Sequence, residues 1–371
     1  MREIKICIID ESVEVNKLED FFSNIPPINI VPYGESQNIS GISHGTICLA
    51  ILLEALKEEK LIGKVSLTHY SVTENREPRT YRALINALQY CVQNRMDIVS
   101  ISIGVMNRVF AKEINRIISS TDETLIVAAA SNDGKLTYPA ALPCVLGVKS
   151  SFLKSVPRYS IADNPSDGVE VIANLPKSSV MEKMEKQHIF LSEYSNSFIV
   201  PQVCAKIVSE SLAKERRATK ELAINWLYGD VRSRKKSYKF SQAQTVEDDK
   251  IPIIQLECKG QITAKVLSRA KKIKSRFDSL LYPCSLVAET IVTDDFIQGI
   301  YQLDTTLAAD CIGYYQYVVS DSLILVLSRS ETILAYPFDF VFSDWIDLKI
   351  SEICNLILQK FQERDYIEES R

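Results

Sequence analysis

The sequence predicts a doubly wound α/β fold with a parallel sheet, followed by a second, smaller α/β domain. In the first part of the chain, short apolar runs alternate with longer segments typical of helices. The runs at 99–103 and 125–129 are almost continuously apolar, as expected when both faces of a parallel sheet are covered. A chain of 371 residues is also too long for one ordinary core, which favours two domains.

The first domain alternates strands and helices in chain order. The apolar runs predict strands over 4–9, 64–71, 98–103, 124–129 and 145–149. The segments between and after them predict helices over 44–59, 80–94, 111–120 and 197–214. Ligands bind at the carboxyl ends of strands in such sheets. Asp10, Gly104 and Asn132, which fall at three of these ends, are therefore predicted to lie at a binding edge.

A change in composition predicts the boundary between the domains. Residues 231–250 are polar and charged, which is typical of a linker. It would separate a first domain of residues 1–230 from a second of residues 251–371. The role of the second domain is open between substrate recruitment and dimerisation.

The second domain has its own α/β pattern. A strand over 251–257 precedes a helix whose apolar residues recur at helical spacing, namely Ile262, Val266, Ala270, Ile273 and Phe277. Further elements are strands over 322–327 and 332–336 and a terminal helix with Ile350, Ile353, Ile357 and Phe361.

Four residues of the first domain are of the types that acyl transfer requires. Asp10 ends an apolar strand, His44 precedes an apolar helix, Asn132 follows three alanines and a serine, and Ser197 runs into Pro201. A serine hydroxyl is a weak nucleophile, so a histidine must take its proton and a carboxylate must orient that histidine. A side-chain amide such as that of Asn132 can stabilise the negative oxygen of the tetrahedral intermediate.

The joint occurrence of these residues favours catalysis, although each alone has a structural interpretation. Their chain order, Asp then His then Ser, is one of those used by serine hydrolases. The chain has three histidines, and His69 and His188 lie in no comparable motif. We therefore predict that Asp10, His44 and Ser197 are catalytic and that Asn132 donates to the oxyanion.

These segments resemble the catalytic domain of the subtilisin-like serine peptidases, the subtilases, over residues 1 to about 230. The matching motifs are Cys7-Ile8-Ile9-Asp10, Ser43-His44-Gly45-Thr46, the strand running to Ser102-Ile103-Gly104, the oxyanion segment ending at Asn132, and Ser195-Asn196-Ser197 before Pro201. The sequence departs from the family pattern at Glu11, Ser12, Ser43, Ser131, Ser195 and Ile199.

The resemblance implies a substrate-binding pocket. Its walls would be Ser102, Ile103 and Gly104 on one side and Ala129, Ala130 and Ser131 on the other, with Thr137 at its floor. Because Ser131 replaces a glycine of the family pattern, we expect large aromatic side chains to be disfavoured.

Composition narrows the partners and the location. A net charge of −4 does not indicate binding to nucleic acid or to an anionic membrane. No apolar run reaches the length of a membrane span. The N-terminus shows no secretion signal and no room for a propeptide, so we expect a cytoplasmic protein.

Nine scattered cysteines with no metal-ligand spacing predict buried free thiols in a reducing compartment. No cofactor and no metal site, including calcium, is predicted. The oligomeric state is open.

Three functions remain open from the sequence. The first is a cytoplasmic serine endopeptidase that cleaves a specific peptide, for example removing the leader from a ribosomally made precursor peptide. The second is a less selective intracellular peptidase. The third is a catalytically weak binding module, suggested by the larger residues Ser195 and Ile199 around the nucleophile. The intact reactive set favours the first two over the third.

Overall fold

The computed structural model describes residues 3–33, 42–72, 79–151, 157–162, 165–187, 195–228, 251–291, 293–329 and 336–369. The chain divides into two compact units, Met1–Ser237 and Tyr238–Arg371. The linker predicted over 231–250 lies outside the described residues, and the predicted domain limits stay a prediction. None of the helices described is long and apolar enough to span a bilayer.

The first unit contains an eight-stranded sheet. Its strands are β1 (Ile4–Asp10), β2 (Ile28–Tyr33), β3 (Val65–Val72), β4 (Ile98–Ile101), β5 (Leu125–Ala129), β6 (Leu146–Ser150), β7 (Tyr159–Ile161) and β8 (Val171–Ala173). Its α-helices are α1 (Val15–Leu18), α2 (His44–Glu58), α3 (Arg79–Gln93), α4 (Ala111–Ile118), α5 (Ser179–Lys186), α6 (Asn196–Ala213) and α7 (Lys220–Tyr228). The strand order is β2-β3-β1-β4-β5-β6-β8-β7. Neighbouring strands are parallel except β7, which is antiparallel to β8.

Helices cover both faces of this sheet. In β1, Ile6 and Ile8 face a core cluster shared with α2 and α6. Cys7, between them, interacts with Cys91 of α3. Because successive strand residues point to opposite faces, α3 lies on the face opposite α2 and α6. This confirms the doubly wound parallel sheet predicted from the sequence.

The second unit is built on a five-stranded sheet. Its elements are β9 (Ile253–Cys258), α8 (Ala264–Ser279), β10 (Cys284–Ala288), β11 (Ile300–Gln302), α9 (Ala308–Val318), β12 (Leu323–Arg329), β13 (Phe340–Phe342) and α10 (Ile350–Glu369). The strands are all parallel, in the order β11-β10-β12-β9-β13. Phe277 of α8, Ile357 of α10 and the fully buried Trp345 share its core. The indole N–H of Trp345 donates to the carbonyl of Glu257 at 2.9 Å.

The predicted elements of the first domain are present, with ends close to those predicted. The elements not predicted from the sequence are strands β2, β7, β8, β10, β11 and β13 and helices α1, α5, α7 and α9. A strand of three residues carries too short an apolar run to be recognised, and every residue of β2 is exposed or half-buried. The strand predicted over 332–336 lies outside the described residues except at its last position.

Candidate active site

Asp10 lies at the carboxyl end of the central strand β1 and is fully buried. Its Oδ1 accepts a hydrogen bond from the backbone N–H of Glu11 at 2.7 Å and lies 2.7 Å from Nδ1 of His44. An ionised carboxylate is only an acceptor, so the proton of this contact belongs to the imidazole. Asp10 therefore fixes the His44 tautomer that carries its hydrogen on Nδ1.

The start of α2 places His44 beside Asp10. Ser43 caps this helix, accepting from the N–H of Thr46 at 3.2 Å and donating to the carbonyl of Ser12 at 2.5 Å. A Cβ atom at position 45 would lie 2.3 Å from the carbonyl oxygen of Glu11. Glycine at 45 is therefore required for the close approach of the helix to the end of β1.

Ser197 lies in the first turn of α6, and its Oγ is 2.8 Å from Nε2 of His44. In the neutral imidazole with its hydrogen on Nδ1, Nε2 is an acceptor and the Ser197 hydroxyl donates to it. The imidazole of His44 also stacks on the ring of Phe198, with 5.3 Å between centroids. Proton transfer from the hydroxyl to the imidazole needs no rearrangement in this geometry.

The negative charge of Asp10 stabilises a positive charge on His44. Burial opposes the charge on Asp10, but the neighbouring imidazole and its hydrogen bond lower the pKa of this carboxyl below its ordinary value. Burial also lowers the pKa of His44, while the charge and hydrogen bond of Asp10 raise it, and the net effect is a raised pKa. Asp10 thus stabilises the imidazolium that forms when His44 takes a proton.

Asn132 and Asn196 join the segment after β5 to the start of α6. The backbone N–H of Asn196 donates to Oδ1 of Asn132 at 2.8 Å. A backbone N–H can face only an acceptor, so this bond fixes the carboxamide orientation and leaves Nδ2 of Asn132 as a donor. The side chain of Asn196 in turn donates to the carbonyls of Ala130 and Ser131, at 3.2 and 2.9 Å.

The residues predicted as pocket walls follow the ends of two adjacent strands. Ile101 of β4 pairs with Ala128 of β5, so the segment 102–104 and the segment that begins at the last β5 residue, Ala129, run side by side at the sheet edge. Gly104 is exposed, and a Cβ atom there would lie 3.2 Å from Cβ of the buried Thr137. Thr137 therefore packs directly against the glycine wall. The structure brings all the predicted site residues to the carboxyl edge of the sheet.

Cys48, a neighbour of His44, was not expected at the site, and the sequence indicated no contacts for Ser195 and Asn196 beyond their place in the motif around Ser197. Sγ of Cys48 lies 3.8 Å from Nδ1 of His44 and 3.6 Å from Oγ of Ser102. Its position four residues after His44 on one helix could have indicated this contact. No local signal gives the contacts of Asn196, because they depend on how α6 meets the segment after β5.

Cys48 also completes a group that could hold a metal ion. One ligand atom each from Asp10, His44 and Cys48 lie within 4.8 Å of one another. Burial raises the pKa of the Cys48 thiol to about 12, so it stays protonated near neutral pH. A cation here would displace the hydrogen bonds between Asp10, His44 and Ser197. The sequence analysis found no cysteine with metal-ligand spacing and overlooked this cluster; the absence of a resident metal stays a prediction.

An acid, an imidazole and a hydroxyl at the carboxyl edge of a parallel α/β sheet are features of serine hydrolases. The sequence model of the subtilase family matches residues 1–239. This chain belongs to the subtilase family, and it is a serine peptidase.

Solved structures resemble the chain more distantly. A lanthipeptide protease is 17% identical with a TM-score of 0.44, and the match covers 64% of this chain and 83% of that one. The epidermin leader peptide processing serine protease of Staphylococcus aureus, in a serine-to-alanine mutant, is 16% identical with a TM-score of 0.43, covering 62% and 71%. The self-cleaved protease domain of PatA is 18% identical with a TM-score of 0.39, covering 60% and 86%. No curated protein matches the chain.

Proposed function

We propose that this subtilase is an endopeptidase in which Asp10, His44 and Ser197 form the catalytic triad. The observation that carries the proposal is the continuous path of hydrogen bonds from Asp10 through His44 to Ser197, with contacts of 2.7 and 2.8 Å. Both ring nitrogens of His44 are used in the way that general-base catalysis requires.

In the proposed reaction, Ser197 Oγ attacks the carbonyl carbon of the scissile peptide bond and its proton passes to Nε2 of His44. His44 then gives this proton to the leaving amine, and an acyl-enzyme remains on Ser197. Water is activated by the same imidazole and hydrolyses the ester. Asp10 stays ionised throughout and stabilises the imidazolium.

The oxyanion of each tetrahedral intermediate needs fixed donors. Nδ2 of Asn132 is one, because its Oδ1 is held by Asn196. The backbone N–H of Ser197 is a second, since it lies in the first turn of α6, where amide hydrogens lack partners within the helix. The positive end of the helix dipole favours a negative charge at the same place.

We further propose that the substrate is one or a few specific peptides, such as a ribosomally made precursor that loses its leader segment. The contact between Thr137 and Gly104 supports a narrow pocket for the residue before the scissile bond. A narrow pocket favours selective cleavage over general degradation. A cytoplasmic location fits the nine cysteines, which are all described and all free thiols.

A fluorophosphonate probe tests the catalytic part of this proposal. The probe should label the wild-type protein at Ser197, and the Ser197→Ala variant should not be labelled. The alternative function, a catalytically weak binding module, predicts no labelling of the folded wild type. Profiling with a peptide library then tests the selective part, and broad cleavage would identify a general peptidase instead.

A further inference from the structure

A second hydroxyl lies against the proposed nucleophile. Oγ of Ser195 is 2.5 Å from Oγ of Ser197, and both residues are only 6% exposed. A serine just before a helix usually caps the helix with its side chain, but that role does not explain this contact. Ser195 is the N-cap of α6, yet its side chain makes no capping hydrogen bond to the helix. Its hydroxyl is directed to Ser197 instead.

The direction of the hydrogen bond follows from a count of hydrogens. Each hydroxyl has one hydrogen to donate. In the neutral form of His44, which is the form that acts as a base, Nδ1 donates to Asp10 and Nε2 accepts the hydrogen of Ser197. The hydrogen between the two serine oxygens therefore belongs to Ser195, which donates to Oγ of Ser197.

We propose that Ser195 is a further catalytic residue, whose hydroxyl polarises the acyl-enzyme ester on Ser197 and speeds its hydrolysis. The proposal rests on the proposed function of Ser197 as nucleophile. In the free enzyme the same hydrogen bond only occupies one lone pair of the nucleophile, so it gives no advantage to acylation. After acylation, a donor on the ester oxygen draws electrons from the acyl carbon and stabilises Oγ as it departs.

The deacylation step balances without a further reactant. The oxygen of water bonds to the acyl carbon while its proton moves to Nε2 of His44. The bond between the acyl carbon and Oγ of Ser197 then breaks, and its electron pair stays on Oγ. Oγ recovers a proton from His44. Ser195 keeps its own proton and contributes only the hydrogen bond.

Stopped-flow kinetics with p-nitrophenyl acetate separates the two steps. The initial burst of p-nitrophenolate reports acetylation of Ser197, and the later steady rate reports hydrolysis of the acetyl-enzyme. In Ser195→Ala we expect the steady rate to fall about fivefold, the size of one neutral hydrogen bond. The burst rate should stay within about twofold, so kcat and KM should fall together while kcat/KM is kept.

The Ser195→Gly variant is the matched control, because glycine is also a good N-cap residue and also lacks the hydroxyl. Both variants should give the same slow steady rate. An equal fall of the burst and steady rates would mean that Ser195 only positions Ser197, and unchanged rates would mean that it has no role; either result overturns the proposal. A wild type that shows neither a burst nor an acetylated protein by mass would instead overturn the function proposed for Ser197.

Discussion

The two units carry polar side chains at the same edge of similar parallel sheets, but connect them differently. In the second unit, Glu289 follows β10 and accepts from the backbone N–H and from Nε of Arg329, both at 2.8 Å. Both of its carboxylate oxygens are occupied, and the pair joins the ends of β10 and β12. In the first unit, Oδ1 of Asp10 accepts from the backbone N–H of Glu11 and from Nδ1 of His44. The other ring nitrogen of His44, Nε2, is hydrogen-bonded to Oγ of Ser197.

The two carboxylates differ in the side chain that donates hydrogen bonds to them. Arginine keeps its proton at any pH a protein meets, so the pair of Glu289 and Arg329 can only hold two strands together. Imidazole exchanges a proton near neutral pH and has a second nitrogen for a hydroxyl. Similar sheet edges therefore carry a structural contact in one unit and, in the other, the hydrogen-bonded residues that we propose for catalysis.

The largest expected effect distinguishes the sheet edge of the first unit from that of the second. Ser197→Ala should reduce peptide cleavage by about 10⁴-fold or more, because the nucleophile is removed. Its melting temperature should stay close to that of the wild type. Glu289→Gln in the second unit should do the opposite, keeping activity on a short peptide while lowering stability by about 1 kcal/mol. Assays of both variants alongside thermal denaturation check this, and cleavage by Ser197→Ala at the wild-type rate would end the catalytic assignment.

Asn132→Ala should reduce kcat by about 10²-fold to 10³-fold, since it removes one donor to the oxyanion. KM should change little, because the bond forms only in the transition state. Fluorophosphonate labelling should remain detectable. Steady-state kinetics on one peptide provides the measurement, and a rise in KM with kcat unchanged would place Asn132 in substrate binding instead.

The first unit should also lose stability in mild acid through His69. This residue of β3 is fully buried, and burial lowers its pKa to about 4, against an opposing effect of Asp10. The unfolded chain binds a proton at His69 below about pH 6.5, whereas the folded protein does so only near pH 4. Stability is therefore lost as the pH falls between these values, by about 3 kcal/mol.

His69→Leu should remove this acid sensitivity, because leucine does not titrate. Asp10 does not contribute in the same window, since its lowered pKa confines its effect to more acidic solutions. Urea denaturation at pH 4.5 and pH 7 compares the two proteins. An equal loss of stability in wild type and variant would assign the effect to another group.

The smallest expected effect concerns the pocket. Thr137→Ser removes one methyl group beside Gly104, so larger side chains before the scissile bond should be cleaved better by about tenfold, the usual value of one methylene in a pocket. Cleavage of substrates with a small residue there should change little. Paired peptides that differ only at this position check the change, and an unaltered preference would remove Thr137 from the pocket floor.

The main strands and helices of the first unit, and the doubly wound class, could be predicted because their signals are local. Apolar continuity over β4 and β5 already requires a sheet covered on both faces. The reactive residue types and the order Asp10, His44, Ser197 could also be predicted. Acyl transfer needs these groups, and the motifs that resemble those of subtilases contain them. The hydrogen-bond partners of Asn132 and the register of the pocket walls could not be predicted, because they depend on how separate strands and α6 align.

By itself, the sequence determined which chemical groups are available and at which strand ends they lie. The tertiary structure decided how those groups are used. It brings the Ser197 hydroxyl to His44, ties the segment after β5 to α6 through Asn196, and buries Cys48 beside Ser102. The physical reason is that a hydrogen bond depends on fractions of an ångström between segments far apart in the chain, and only the packed sheet and helices set those distances.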